Sequence, residues 1–122
     1  MNKIDINIWN RDFSLTIALQ EYPGIEVTSK QVETLDSVGT IDFMPALNAA
    51  KGYVRERNGK ELSEPEITNI FRYIMPNHFY IPRRPDGLVI LMCDYRFDPE
   101  HGLAVVFADG QFKKVCTEDE VL

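Results

Sequence analysis

The stretch "GLVILMCDYRFDPEHGLAVVF", residues 87–107, decides the fold of this chain. Two apolar runs flank "DPEHG", where proline and glycine interrupt regular structure. The first run is apolar nearly throughout, which is typical of a strand buried on both faces of a sheet. Further on, "DG" at Asp109 and Gly110 is a strong hairpin signal, and "QFKKVC" follows it as a last strand. The pattern therefore predicts an antiparallel C-terminal meander.

The first 22 residues predict a β-hairpin. Isoleucine occupies every second position of "KIDINIW", and apolar residues alternate again in "FSLTIAL". The turn-like "NRD" separates the two runs, and "YPG" at residues 22–24 ends the second one.

Residues 28–75 form the helical part of the prediction. Thr28 and Gln31 have the spacing of a capping box, so a first helix begins there and turns Val32 inward. A second helix should begin near Asp42, because a proline at position 45 fits only in the first turn of a helix.

The third predicted helix covers "SEPEITNIFRYI", residues 63–74, with Ser63 as its cap. Strands then occupy residues 78–117. The first of these, "HFYIP", lies close to two prolines, which places it at a sheet edge. Helices packed on an antiparallel sheet make this an α+β fold, with residues 1–122 in one domain.

Length and composition exclude several classes of protein. The longest apolar run, "LVILMC", is far shorter than the roughly 20 residues of a membrane helix. The alternating N-terminus has no apolar signal core, so a cytoplasmic protein is expected. Cys93 and Cys116 lie inside predicted strands, which favours buried free thiols over a disulfide.

Charge is unevenly distributed along the chain. There are 19 acids against 13 Lys and Arg, and residues 94–122 hold seven of the acids with three of the bases. Direct binding of DNA or RNA needs clustered Lys and Arg, so the acidic balance disfavours it. It favours a basic protein partner.

The predicted meander places many of these acids at one end of the sheet. Antiparallel neighbours alternate direction, so the "DPEHG" loop and the "TEDEV" tail should meet at one end of the sheet. We call this set of acids the acidic rim; its members are Asp94, Asp98, Glu100, Glu118, Asp119 and Glu120. We predict that the acidic rim, together with His101, binds a partner. Arg96 places one positive charge among them.

Three interpretations of "DPEHG" stay open at the level of sequence. It has the composition of a tight turn, which is compatible with a contact surface. A metal site formed by Asp98, Glu100 and His101, as in a metal-dependent hydrolase, is a second interpretation, although the spacing matches no calcium-loop pattern. The third is an acid–base hydrolase centred on Asp98, Glu100 and His101, although the chain has no nucleophile motif and no glycine-rich phosphate loop.

Residues 93–122 resemble the end of a family of small bacterial domains of unknown function. The shared signature is an aromatic residue followed by D-x-E-H-G, then an apolar strand, a "DG" turn and an acidic C-terminus. Its first positions are Phe97, Asp98, Glu100, His101 and Gly102. Thr28 to Ile74 is similar to the family's helical part more loosely.

In size and acidity, such domains resemble the immunity proteins of polymorphic toxin systems, including those of contact-dependent growth inhibition. The resemblance implies a cytoplasmic protein that is not an enzyme and needs no cofactor or metal. Such a protein neutralises a cognate toxin domain, often a basic nuclease, by covering it. A regulatory or scaffold domain with an unrelated partner is the further alternative, and the sequence leaves the oligomeric state open.

Overall fold

The computed structural model describes residues 2–121 of the chain. Its six strands follow one another across a single sheet: β1 (Asn2–Ile8), β2 (Arg11–Leu19), β3 (Ile74–Ile81), β4 (Leu88–Tyr95), β5 (Leu103–Ala108) and β6 (Gln111–Cys116). Two α-helices, α1 (Ser29–Ser37) and α2 (Met44–Asn58), connect β2 to β3. The α+β prediction is confirmed, with two helices where three were expected.

The N-terminal hairpin is confirmed, and its turn consists of two residues. Trp9 and Asn10 have φ angles of 52° and 67°, as a type I′ turn requires. Tryptophan rarely adopts this conformation, and here a tertiary contact holds it. The buried indole N–H of Trp9 donates to the carbonyl oxygen of Phe43 at 2.9 Å.

The sheet is mixed, which corrects the prediction of an antiparallel sheet. β2 and β3 are parallel, with Thr16 opposite His78 and Leu19 opposite Ile81. Two helices fit between these strands because parallel neighbours need a long crossover connection. The prediction that residues 78–82 form an edge strand was also wrong, since β3 lies between β2 and β4. Pro76 lies where the β3–β4 register shifts, and such irregularities are positions where a strand inside a sheet tolerates proline.

The capping box at the start of α1 is confirmed. The Thr28 hydroxyl accepts from the backbone N–H of Gln31 at 3.0 Å, and the Gln31 side chain accepts from the N–H of Thr28 at 2.8 Å. The amide nitrogen of Gln31 also donates to the carbonyls of Gln20 and Ile81, at 3.0 and 3.1 Å. Gln31 takes the inward position, so the prediction that Val32 faces inward was wrong: Val32 is 44% exposed.

The second helix begins close to the predicted position. The carboxylate of Asp42 accepts from the N–H of Met44 at 3.0 Å, and Pro45 lies in the first turn. The inward side of α2 is lined by small side chains, so the helix packs closely on the sheet; they are Ala46, Ala50 and Val54.

The predicted third helix, residues 63–74, does not form. Only a single 3-10 turn, Ile70–Arg72, occurs there, and β3 begins at Ile74. The carboxylate of Glu64 accepts from the backbone N–H of Thr68 instead of capping a helix. Pairing of Ile74 with Tyr95 requires extended backbone at the last residue of the predicted helix, and the carbonyl of Tyr73 accepts from the N–H of Arg96. At this end of the predicted helix, tertiary structure therefore overrides the local pattern.

The C-terminal meander is confirmed, since β3 to β6 pair antiparallel in chain order. β4 and β5 are buried on both faces, as the apolar run predicts. One face packs under the helices, and the other carries a smaller cluster built around Ile90, Met92 and Val106. Cys93 and Cys116 are buried free thiols, as expected.

Replacing Gln31 with alanine should lower the free energy of unfolding by about 2–4 kcal/mol, because a buried amide that makes three hydrogen bonds is lost and its partners lose theirs. Val32→Ala is the matched control, since it changes the adjacent, exposed position of the same helix. Urea denaturation of both variants measures the difference. Equal stability of Gln31→Ala and Val32→Ala would contradict this account of the crossover.

Candidate protein-binding surface at one end of the sheet

The strand pairings bring the two acidic segments together as predicted. Cys93 at the end of β4 lies opposite Leu103 at the start of β5. Ala104 in turn lies opposite Cys116 at the end of β6. The "DPEHG" turn and the segment after β6 therefore share one end of the sheet, and β3 begins at that same end.

"DPEHG" forms a turn that packs on the C-terminal segment. The N–H of Gly102 donates to the carbonyl of Asp98 at 2.9 Å, and the N–H of Glu118 donates to the carbonyl of His101 at 3.3 Å. Gly102 has a φ of +61°, and a Cβ atom there would lie 2.8 Å from the carboxyl group of Glu118. Glycine is therefore required at this position both for its backbone conformation and for the close approach of Glu118.

His101 lies between two carboxylates of the acidic rim. Its Nδ1 is 3.0 Å from Asp98 Oδ1, and its Nε2 is 3.6 Å from Asp119 Oδ2. The hydrogen bond and charge of Asp98 raise the pKa of His101, and the same hydrogen bond lowers the pKa of Asp98. A protonated His101 thus links the turn to the C-terminal segment and reduces the repulsion between the two acids.

Two other acids of the rim have structural partners. Glu118 is half-buried, and burial followed by the charges of Asp94 and Asp119 raises the pKa of its carboxyl group. Glu120 accepts from the N–H of Thr117 at 3.4 Å and caps the short C-terminal 3-10 turn. These acids hold the 3-10 turn at residues 118–120 in place.

The remaining rim acids differ in their surroundings. Glu100 lies exposed in the turn between β4 and β5. Asp94 is exposed at the end of β4 and accepts from the side-chain amide of Asn77 at 3.3 Å. Sequence reasoning missed Asn77 because it began the third strand at His78. The aromatic, β-branched and apolar residues of "YIM", just before Pro76, could have indicated that the strand begins earlier and includes Asn77.

An apolar groove of about 260 Å³ lies beside the rim. Aromatic and apolar side chains make up much of its wall, with one acid and two arginines; the lining residues are Phe71, Arg72, Tyr73, Met75, Asp94, Tyr95, Arg96 and Pro99. The backbone N–H of Arg96 donates to the carbonyl of Tyr73 at 2.8 Å, which joins the two walls. The sequence pattern alone did not indicate this groove.

Within residues 2–121, no three His, Cys, Asp or Glu side chains converge in a way that could hold a metal ion. None of the helices in that range combines the length and the apolar character needed to cross a membrane. The chain matches no protein-family model, no curated protein and no solved structure.

The two histidines should titrate on opposite sides of the ordinary value of 6.5. Asp98 raises the pKa of His101, whereas burial lowers that of His78. Asp98→Asn should bring the His101 pKa back towards 6.5, and His78 is the internal control. NMR titration of the imidazole protons measures both, and a His101 pKa that Asp98→Asn does not lower would contradict the ion pair.

The pH range of the Asp98–His101 contribution to stability follows from the signs of the two shifts. Because the pKa of Asp98 is lowered, the contribution is lost as the pH falls through that pKa. Because the pKa of His101 is raised, the contribution is present below 6.5 and is lost as the pH rises through the folded-state value.

Replacing Gly102 with alanine should cost about 2–4 kcal/mol of unfolding free energy, because a left-handed backbone penalty of about 1 kcal/mol adds to the clash with Glu118 and with the Cys93 carbonyl. Gly110→Ala is the matched control: Gly110 has a φ of +81°, and nothing lies within 4 Å of a Cβ there. Thermal or urea unfolding gives the difference. If the two variants lose the same stability, Glu118 does not pack against the turn as described.

Proposed function

We propose that this protein is a cytoplasmic immunity protein that binds and neutralises a cognate toxin domain with a basic surface, and that it acts without catalysis. The observation that carries the proposal is the convergence of two acidic segments at one end of the sheet. The resemblance of residues 93–122 to small bacterial domains that themselves resemble immunity proteins supports the same class.

Electrostatics explains how the acidic rim would serve this function. A toxin that cleaves RNA or DNA uses Lys and Arg to bind phosphates. A surface of carboxylates has the opposite field and accelerates the encounter with such a domain. The rim then occupies the residues that the toxin needs for its own substrate.

The rim acids divide into those that maintain the structure and those available for contact. Asp98, Glu118 and Glu120 make internal hydrogen bonds or are partly buried. Glu100 is exposed at the surface of the turn, and Asp119 stays 70% exposed in the C-terminal segment although its carboxylate lies 3.6 Å from His101 Nε2. We therefore assign the steering of the partner mainly to Glu100 and Asp119.

The adjacent groove supplies a place for an anchoring side chain. Binding energy in protein interfaces concentrates in a few apolar or aromatic side chains that fill pockets, while charges at the rim affect mainly the rate of association. Met75 and Phe71 line the groove next to Asp94. A partner with an apolar residue flanked by Lys or Arg would match this arrangement.

Acid–base hydrolysis is the second candidate function, and the Asp98–His101 hydrogen bond is the observation that favours it. An aspartate that orients a histidine is a common device for general base catalysis. His101→Gln separates the candidates: it would abolish hydrolysis but leave a binding function largely intact, because Glu100 and Asp119 remain. A regulatory or scaffold function would instead show binding to a partner that is not toxic.

The first test is co-expression in a bacterial host with a toxin candidate, which the gene immediately upstream supplies if it encodes a large surface protein or a small basic domain. We expect this protein to restore growth and to form a one-to-one complex with the toxin domain. His101→Gln should still protect. Toxicity without rescue would contradict the proposal, and rescue that requires His101 without a stable complex would favour the hydrolase.

Association kinetics with the toxin domain test the acidic rim itself. Glu100→Gln with Asp119→Asn should slow association roughly threefold to tenfold at low salt and flatten its salt dependence. Met75→Ala should instead accelerate dissociation. Glu21→Gln with Glu26→Gln is the matched control, because it removes the same charge from the exposed loop that follows β2, at the other end of the sheet. An equal effect of the rim and control pairs would show that net charge, and not the rim, steers binding.

A further inference from the structure

The outer edge of β1 presents backbone groups that can pair with another strand. β1 is the first strand of the sheet and pairs with β2 on one side only. Ile8 and Arg11 flank the two-residue turn, so they form a hydrogen-bonded pair, and such pairs alternate along the ladder. The N–H and C=O groups of the intervening residues, Lys3, Asp5 and Asn7, therefore point away from β2.

The side chains along this edge are self-complementary in one register. Lys3 and Asp5 are exposed, lie two residues apart on the same face, and form no ion pair within residues 2–121. If a second β1 runs antiparallel with Ile4 opposite Ile4, each Lys3 lies directly opposite Asp5 of the other copy. The backbone N–H and C=O groups of Lys3 and Asp5 point outward, so each of the two Lys3–Asp5 pairs can also exchange backbone hydrogen bonds.

Other registers are less favourable by charge. Centring the pair on Asp5 places two carboxylates directly opposite each other, and like charges in that position are destabilising. Centring it on Ile6 leaves Lys3 without an acidic neighbour. Charge therefore selects the Ile4-centred register.

The opposite edge of the sheet lacks this complementarity. β6 carries adjacent exposed lysines, Lys113 and Lys114, so antiparallel pairing of two copies centred on either one places like charges opposite each other. α2 also packs against β6, whereas β1 has its extensive contacts with β2 among the described residues.

We propose that a second copy of this chain pairs with β1, antiparallel and centred on Ile4, so that two six-stranded sheets form one continuous sheet. The half-buried side chain of Ile4 then packs against Ile4 of the other copy, and Ile6 lies diagonal to that same residue, which buries more apolar surface on the core face. The acidic rim lies at the ends of β4 to β6, away from this edge, so dimerisation leaves it uncovered and does not rest on the proposed function.

A charge-swap experiment tests the pairing and its register. Sedimentation velocity over a wide concentration range should show a concentration-dependent dimer of the wild-type chain. Lys3→Asp and Asp5→Lys alone should each raise the dimer Kd by about tenfold to a hundredfold, because each change creates two like-charge pairs. The double variant Lys3→Asp with Asp5→Lys should restore the wild-type Kd. Lys113→Asp, a charge reversal on the other edge strand, is the matched control.

A monomer at every concentration would overturn the proposal. A dimer whose Kd is unchanged by both single reversals would place the interface elsewhere and would also overturn it. A dimer that Lys3→Asp weakens but the double variant does not restore would reject the Ile4-centred register. Circular dichroism should show the same folded spectrum for all variants, because Lys3 and Asp5 are exposed.

Discussion

The parallel pairing of β2 with β3 is the constraint on which the rest of the structure depends. It inserts the N-terminal hairpin into the same sheet as the C-terminal meander, and it makes β3 an interior strand. The buried amide of Gln31 stabilises this junction by donating to the carbonyls at the ends of both strands, while its oxygen caps α1. Because one side chain joins the first helix to the two parallel strands, the crossover, the helix and the sheet are positioned together.

The acidic end of the sheet is a consequence of chain direction. Strands β4, β5 and β6 alternate in direction, so two acidic segments that are far apart in sequence share one end. Like charges at such an end repel, and a protonated His101 reduces that repulsion because it lies between Asp98 and Asp119. A surface with this concentration of carboxylates is suited to a basic partner, and the neighbouring apolar groove is suited to an anchor.

The two surfaces proposed to bind proteins differ in the physical basis of their selectivity. At the acidic rim, the sign of the charge selects the partner, and the association rate should respond to salt. At the edge of β1, backbone hydrogen bonds supply the pairing, and the spacing of Lys3 and Asp5 selects the register. They lie in different parts of the sheet, so a dimer would present two acidic rims.

The sequence by itself determined the elements whose signals are local. Alternation identified the hairpin, the Thr28 and Gln31 spacing identified the cap of α1, and the apolar runs around "DPEHG" identified the meander and the grouping of the acids. Only tertiary structure decided the parallel β2–β3 pairing, the loss of the helix over residues 63–74, and the inward position of Gln31. The physical reason is that hydrogen bonds between residues distant in sequence, such as those accepted by the carbonyls of Tyr73 and Ile81, outweigh helix propensities of less than about 1 kcal/mol per residue.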